Sequence, residues 1–302
     1  MFKSKNSMSR ALVRRETTAG YLFLLPSLFF FVTFVLYPMF LCIYTSFFDS
    51  NMGKNAVDVF VGLGNYKELF RDKLFLGALK NTVIIVLVAV PTVCAFSLWV
   101  ATAIYDMKPA LTSAFRCIFY LPVVTGSVAV TVVWKWMYNS RYGVFNYLFK
   151  SLGIIDQNIN WLGDARFALW CIILILFTTS VGQPIVLYVS ALGNVDHSLV
   201  EAAQVDGANR RQVFWKIKWA QIMPTTLYIL IITTINSFQC FALIQLLTSG
   251  GPTHSTDTIM YYIYYTAFKL YRYGYGNAMG VVLMIIIAVL SAVQFKLGQQ
   301  SD

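Results

Sequence analysis

The sequence predicts an all-α, polytopic membrane protein with six transmembrane helices. Of its 302 residues, 58% are hydrophobic and only 12% are charged, whereas an ordinary soluble domain has about 25% charged residues. Six stretches contain no Asp, Glu, Lys or Arg, and each reaches the roughly 18 residues that a helix needs to cross a bilayer. A conventional soluble fold is therefore excluded.

The charge-free stretches define the predicted spans in chain order. They cover residues 17–48, 81–105, 117–134, 167–195, 219–256 and 273–295. The first stretch is too long for the apolar core of a secretion signal, which has about 7 to 15 residues, so we interpret it as a retained span. The predicted organisation is a cytoplasmic N-terminal segment (1–19), a six-helix membrane domain (20–297) and a short cytoplasmic tail (298–302), with no additional soluble domain.

Two clusters of basic residues predict the orientation. The first precedes the first span and comprises Lys3, Lys5, Arg10, Arg14 and Arg15; the second lies between the fourth and fifth spans and comprises Arg210, Arg211, Lys216 and Lys218. Four spans separate the clusters, so both lie on one side, and basic loops favour the cytoplasmic side. Both chain ends are thus predicted to be cytoplasmic. Membrane orientation explains the net charge of +10, and nucleic-acid binding is rejected.

The polar segment between the fourth and fifth spans predicts a short helix followed by a turn. Ser198 and Glu201 have the spacing of a capping box, which would begin a helix, and Gly207 is placed to end it. A helix this short is unstable alone, because isolated helices need about 12 to 15 residues. Beyond the glycine, Val213 and Phe214 predict a second helix that packs against the membrane or the bundle. Periodicity alone equally allows a loop resting on lipid headgroups.

A family resemblance favours the helix. "EAAQVDGANRRQVFWKI", residues 201–217, resembles the EAA loop of binding-protein-dependent ABC importer permeases, with Glu-Ala-Ala, three residues, Gly, nine residues and Ile. "VGLGNYKELF", "FRCIFYLPVV", "NWLGDARFAL" and "FALIQLLTSGGPTHSTDTIMYYIYYTAF" are similar to carbohydrate-type permeases, in particular to the first maltose or glycerol-phosphate permease. One departure is Trp219-Ala220, where the family usually has Leu-Pro; Pro224 stands where a second proline is common.

The resemblance implies a type I ABC importer permease fold and assigns the coupling of ATP hydrolysis to residues 196–219, which we call the coupling segment. The implied coupling residues are Ser198, Glu201, Ala202, Ala203, Asp206, Gly207 and Arg210. The implied partners are a second homologous permease, two ATPase subunits, an extracytoplasmic solute-binding protein and the lipid bilayer of a bacterial-type cell membrane. The implied substrate is a sugar or oligosaccharide. ATP and Mg²⁺ would be bound by the ATPase subunits, and this chain would bind no cofactor.

The sequence lacks the motifs of ATP-binding proteins, ion-coupled carriers and enzymes, which reduces the number of possible functions. The sequence contains no GxxxxGK[ST] phosphate loop, so the energy is expected to come from partner subunits. The spans have no acidic residue near their middle, which disfavours an ion-coupled carrier. His197 and His254 are predicted to be solvated on opposite sides of the membrane, so no metal site is indicated. No nucleophile lies beside a base, and no enzyme activity is predicted.

A sugar path requires neutral hydrogen-bonding side chains that face the bundle. The candidates in the fourth and fifth spans are Thr178, Gly182, Gln183, Thr233, Asn236, Ser237 and Gln239. The alternative role for these residues is hydrogen bonding between helices, typically worth about 0.6 kcal/mol each. Gly250-Gly251-Pro252 predicts a tight outer turn that is a candidate contact for the solute-binding protein.

Two alternatives to a sugar permease remain open. A permease for another solute, such as glycerol phosphate, an amino acid or a peptide, would have the same fold, although a path for phosphate would need more buried Arg or Lys. An ion-coupled secondary carrier or a membrane enzyme is the second alternative. Uptake without any ATPase partner would favour the carrier.

Overall fold

The chain folds mainly into helices in the computed structural model, which describes residues 3–50 and 58–299. The first α-helices are α1 (Lys3–Phe31), α2 (Tyr37–Thr45), α3 (Gly64–Leu69), α4 (Lys73–Tyr105), α5 (Pro109–Val124), α6 (Ser127–Met137) and α7 (Val144–Ser151). They are followed by α8 (Ala168–Ser180), α9 (Gly182–Gly193), α10 (His197–Val205), α11 (Arg210–Val213), α12 (Trp219–Phe238), α13 (Ala242–Leu247), α14 (Ile259–Tyr264) and α15 (Tyr273–Gln299). π-Helical turns occupy Val32–Leu36, Phe214–Lys218 and Tyr265–Lys269.

Five helical segments in the described part of the chain are long and apolar enough to cross a membrane. They are Arg14–Thr45, Lys73–Tyr105, Ala168–Gly193, Arg210–Leu247 and Tyr273–Gly298. The predicted third span, 117–134, requires a correction, because α5 and α6 form a pair bent by 95° and make a sixth span only if counted together. The bend arises at Thr125 and Gly126, whose extended backbone (ψ 127° and 141°) interrupts the helical hydrogen bonds.

The first helix begins well before the predicted membrane domain. α1 starts at Lys3 and continues without a break past residues 19 and 20, so the predicted domain boundary does not coincide with an interruption of the backbone. α15 likewise continues to Gln299, into the predicted tail. The remaining residues of the two predicted terminal segments, 1–2 and 300–302, lie outside the described part of the chain.

Helix α4 lies at the centre of the bundle and packs against α9 and α12. The shared core includes Val93 and Ala101 of α4, Ile185 and Tyr188 of α9, and Ile222 and Ile229 of α12. The segment Arg14–Thr45 is different, because no residue of its most apolar window is buried, whereas half of the window in Ala168–Gly193 is. Its exposed apolar surface requires a cover of lipid or protein.

A short strand pair departs from the all-α expectation. Phe48–Asp49 pairs antiparallel with Val59–Phe60, on the side where the first span ends. The buried Asn65 holds this connection, because its Nδ2 donates to the carbonyl oxygens of Ser46 at 2.8 Å and Phe48 at 2.9 Å. A side-chain amide thus replaces backbone hydrogen bonds that a longer sheet would supply.

A second buried asparagine organises the segment between α6 and α8 in the same way. Asn146 Nδ2 donates to the carbonyl oxygens of Ser140 at 3.2 Å and Ile159 at 2.9 Å. Its Oδ1 accepts from the Ile159 N–H at 3.1 Å and from Trp161 Nε1 at 3.0 Å. Both polar atoms of this buried amide therefore have partners, and their hydrogen bonds link the two ends of the segment around α7.

Candidate functional site

The short helix of the coupling segment is α10, and Asp196 begins it. The Asp196 carboxylate accepts a hydrogen bond from the Ser198 N–H at 2.9 Å, while the Asp196 N–H donates to the side-chain oxygen of Gln221 at 2.9 Å. The predicted Ser198–Glu201 capping box is therefore wrong, because Asp196 caps the helix and Gln221 takes the position of the reciprocal acceptor. Hydrogen bonds from the Ser198 side chain and backbone lower the pKa of Asp196.

Gly207 ends this helix, as predicted. Its φ of +82° lies in the left-handed region that favours glycine. The Gly207 N–H donates to Gln204 O at 3.1 Å and the Ala208 N–H to Ala203 O at 2.9 Å, which is the hydrogen-bond pair of a Schellman motif. Both ends of α10 are thus fixed by specific bonds.

The capping box of the coupling segment lies after the turn instead. Asn209 Oδ1 accepts from the Gln212 N–H at 2.9 Å, and Gln212 Oε1 accepts from the Asn209 N–H at 2.8 Å. The helix that begins at Arg210 passes through a π-helical turn into α12 without a break. The second helix is therefore the start of the fifth span, rather than a separate helix on the membrane surface.

Helix α10 exposes an apolar face to solvent. Leu199 is 50% exposed, Val205 is 87% exposed, and Ala202 between them is exposed as well. The predicted residues Ser198, Glu201, Asp206, Gly207 and Arg210 are also exposed, and Ala203 is half-buried. Sequence reasoning missed Leu199 and Val205, although their spacing with Ala202 (i, i+3, i+6) in a polar segment was the available signal.

A polar groove of about 150 Å³ lies between α9 and α12. It brings together three of the predicted path residues, Gln183 of α9 and Thr233 and Asn236 of α12. Thr179, Ser180 and Tyr228 also line it, and periodicity did not single them out. The groove can offer neutral hydrogen-bond donors and acceptors beside apolar surface.

The structure places the other predicted path residues elsewhere. Thr178 lines a neighbouring, mostly apolar groove, and its hydroxyl donates to Ile175 O at 2.8 Å. Gly182 is a helix-packing position, since a Cβ there would overlap the carbonyl oxygen of Phe119. Ser237 is buried and Gln239 lies in the turn that ends α12. Neither lines the polar groove.

The loop between α13 and α14 contains a buried acid that sequence reasoning missed. Asp257 is 2% exposed, and its Oδ2 lies 2.7 Å from Nδ1 of His254. His254 was expected to be a solvated histidine. Its side chain is half-exposed, and its ring lies within hydrogen-bond distance of the Asp257 carboxylate. Burial raises the pKa of Asp257, against the opposing effect of His254. Gly250 packs on the same carboxylate, because a Cβ there would overlap Asp257 Oδ1.

Asp72 joins the start of α4 to α14 and α15. Its Oδ1 accepts from the Leu74 and Phe75 N–H groups and so caps α4. Its Oδ2 accepts from the hydroxyls of Tyr262 at 2.7 Å and Tyr275 at 2.9 Å, which fixes α14 and α15 against α4. Burial opposes ionisation, but these hydrogen bonds together lower the pKa of Asp72.

An ion pair ties α3 to the start of the last span. Nη1 and Nη2 of Arg272 each lie 2.8 Å from a carboxylate oxygen of Glu68, and the guanidinium lies 4.6 Å from the ring centroid of Tyr275. The pair is bidentate, which gives it more geometric specificity than a single surface contact. Together with the hydrogen bonds of Asp72, this ion pair connects α3, α4, α14 and α15.

The described residues contain no group of three or more His, Cys, Asp or Glu side chains that could hold a metal ion. The fold presents a capped helix-turn-helix at one end of the bundle and a polar groove between the two helices that flank it.

Residues 59–299 match the model of the family described as "binding-protein-dependent transport system inner membrane component". The chain belongs to this family, and it is a non-catalytic permease subunit of an ABC transporter.

The relatives extend this match over most of the chain. It is 33% identical over 288 residues to the probable ABC transporter permease protein YesP of Bacillus subtilis, covering 94% of this chain and 91% of YesP. It is 32% identical over 283 residues to the multiple sugar-binding transport system permease protein MsmF of Streptococcus mutans, covering 94% and 96%. A bacterial ABC transporter involved in the import of alginate has the same fold, with a TM-score of 0.79, 23% identity and coverage of 97% and 99%.

Proposed function

We propose that the chain is one permease half of an ATP-driven importer that carries a sugar or oligosaccharide delivered by an extracytoplasmic binding protein. The observation that carries the proposal is that α9 and α12, the helices on either side of the coupling segment, are the same helices that line the polar groove. A force on the segment therefore acts directly on the walls of the groove. The name of MsmF supports a carbohydrate substrate.

Helix α10 is built to receive that force from an ATPase subunit. Caps at Asp196 and Gly207 make it a rigid unit of two to three turns, and its exposed apolar face of Leu199, Ala202 and Val205 has no cover within the described part of the chain. Apolar side chains exposed in this way favour burial in a partner. Glu201 and Asp206 lie at the edge of the face, where they are available for ion pairs with that partner.

Movement of α10 has two routes to the groove. Through Asp196 and its bond to Gln221, the start of α10 is tied to the first part of α12. Through the turn at Gly207, the end of α10 leads into α11 and the continuous helix that carries Thr233 and Asn236. ATP-driven closure of the ATPases would shift both helices together, which is a switch between two packed arrangements.

The groove chemistry suits a neutral solute. Gln183, Thr233 and Asn236 supply amide and hydroxyl groups, and no charged side chain lines the groove among the described residues. Sugars present hydroxyls that such groups recognise. An anionic solute would instead require a compensating cation.

The second permease subunit has a site available on the first span. Arg14–Thr45 contributes almost nothing to the core of this chain, so lipid and a homologous permease are proposed to cover it. The membrane is proposed to be a bacterial-type cell membrane with both chain ends and α10 in the cytoplasm, where the ATPases bind ATP and Mg²⁺.

The decisive experiment is co-purification of the chain with its second permease and ATPase, followed by a screen of sugars for binding-protein-dependent stimulation of ATP hydrolysis. Val205→Asp is expected to reduce ATPase co-purification at least tenfold, because it places a charge in an apolar contact. Leu152→Asp is the matched control, since Leu152 is 70% exposed in an outer loop. Equal retention of the ATPase by both variants would rule out α10 as the docking site.

A further inference from the structure

A cavity of about 580 Å³ lies behind α10, on the side opposite its exposed apolar face. Val200 and Gln204 of α10 form one wall, Arg210 and Lys218 form the next, and the end of α4 closes it with Tyr105 and Asp106. The cavity has the size of a small-molecule site. It combines apolar surface with a few polar groups, which is the composition of a binding site rather than of a packing defect.

The side chains that line this cavity carry more positive than negative charge. Arg210 and Lys218 both line the cavity, with Asp106 as the one acid among the lining residues. Within the described ranges neither cation is in an ion pair with a carboxylate. Lys218 Nζ instead lies 5.5 Å from the ring centroid of Tyr105, a contact that leaves its donors available.

We propose that this cavity binds a phosphate-bearing anion, either a soluble phosphate compound or the headgroup of an anionic lipid. Arg210 offers a planar fork of donors and Lys218 a mobile ammonium, the two groups that proteins use for phosphate oxygens. Gln204 adds an amide donor beside them. Basic pockets between membrane helices on the cytoplasmic side are suited to such headgroups, and Val200 gives the uncharged part of the ligand an apolar surface.

The occupant would regulate the coupling segment. Gln204 precedes the turn at Gly207, Arg210 follows it, and Tyr105 belongs to α4 in the core of the bundle. A ligand that bridges these residues fixes the angle between α10 and α11 and ties both to α4. Occupancy therefore lowers the efficiency with which α10 moves the groove. The effect on coupling rests on the proposed function, whereas the binding of the anion to the cavity does not.

The test is binding to the full-length chain in nanodiscs without ATPase subunits. Inorganic phosphate is measured by equilibrium dialysis in phosphatidylcholine nanodiscs, and phosphatidylglycerol retention by native mass spectrometry. Arg210→Gln/Lys218→Gln is expected to weaken binding of at least one probe tenfold or more. Arg211→Gln/Lys216→Gln is the matched control, because it removes the same charge from exposed positions that do not line the cavity.

The two probes separate the sources of the ligand. Cavity-dependent phosphate binding indicates a soluble anion, and cavity-dependent phosphatidylglycerol retention indicates a lipid headgroup. Gln204→Glu, which adds a negative charge without removing a cation, is expected to weaken binding as well and replaces the double variant if that one does not fold. The proposal is overturned if neither probe binds saturably, or if the cavity pair and the control pair weaken binding equally.

Discussion

The side-chain oxygen of Gln221 accepts a hydrogen bond of 2.9 Å from the backbone N–H of Asp196. This bond closes the whole coupling segment into a loop, because Asp196 begins α10 and Gln221 lies in the first turn of α12. The cap of the short helix and the first turn of α12 are thus one structural unit. A displacement of α10 acts on α12 at this bond as well as through the turn at Gly207.

Replacing Gln221 by Ala should uncouple the transporter without unfolding it. The bond is exposed, so its loss should cost only about 0.5 to 1.5 kcal/mol of stability, while one of the two routes to the groove is removed. Binding-protein-stimulated transport is expected to fall severalfold in proteoliposomes. Gln157→Ala, at an exposed position in the segment that precedes α8, is the control; a Gln221 variant that transports as well as this control would contradict the two-route account.

Gly207→Ala should reduce coupling more than stability. A Cβ at Gly207 meets no atom within 4 Å, but the φ of +82° is strained for alanine by about 1 to 2 kcal/mol. Relaxing that strain changes the angle between α10 and α11, so transport is expected to fall. Gly153→Ala is matched in strain, with φ +69° and the same open surroundings. We expect a similar shift in unfolding midpoint for both and a transport defect only for Gly207→Ala.

Tyr262→Phe should weaken the contact between α14 and the start of α4 in a pH-dependent manner. The hydroxyl donates to the Asp72 carboxylate, and loss of a hydrogen bond to a charged group costs about 1.5 to 3 kcal/mol. Since the pKa of Asp72 is lowered from 3.8 in the fold, its carboxylate stabilises the folded state above pH 3.8, and this contribution is lost as the pH falls through the lowered value.

The difference in unfolding midpoint between the wild-type protein and Tyr262→Phe should therefore be full at pH 7 and shrink below pH 3.8. Thermal unfolding in detergent micelles measures it. Tyr147→Phe, at a side chain that is 72% exposed, should change the midpoint at neither pH. A Tyr262→Phe defect that stays constant across this range would show that the hydroxyl does not act through the Asp72 carboxylate.

Gln183→Leu and Asn236→Leu should each impair transport while preserving ATPase binding. Both remove hydrogen-bonding groups from the polar groove at nearly constant volume, and α10 is untouched. We expect uptake of the sugar identified in the screen to fall at least tenfold for the double variant, with unchanged co-purification of the ATPase. Thr92→Val is the control, because that hydroxyl bonds within its own helix to Val88 O at 2.6 Å; uptake equal to this control would exclude the groove from the path.

Much of the fold follows from local sequence features. The lengths of the apolar stretches locate the membrane helices, because crossing hydrocarbon demands a minimum length whatever the packing. Gly207 was identified as a helix end because only a glycine adopts its backbone conformation freely. The EAA-loop resemblance likewise located the coupling segment and the family. These signals lie within a few residues of the feature that they determine.

The remaining features depend on contacts between residues far apart in the chain. Gln221 takes the role expected of Glu201, and Asp72 binds tyrosines about 190 and 203 residues away. The bend of α5 and α6, the separation of Thr178 and Gly182 from the groove and the pairing of α9 with α12 also require the packed bundle. The sequence by itself determined which segments are helices in the membrane. Tertiary structure decided which side chains meet, since a hydrogen bond forms only where the folded bundle brings a donor and an acceptor within about 3 Å.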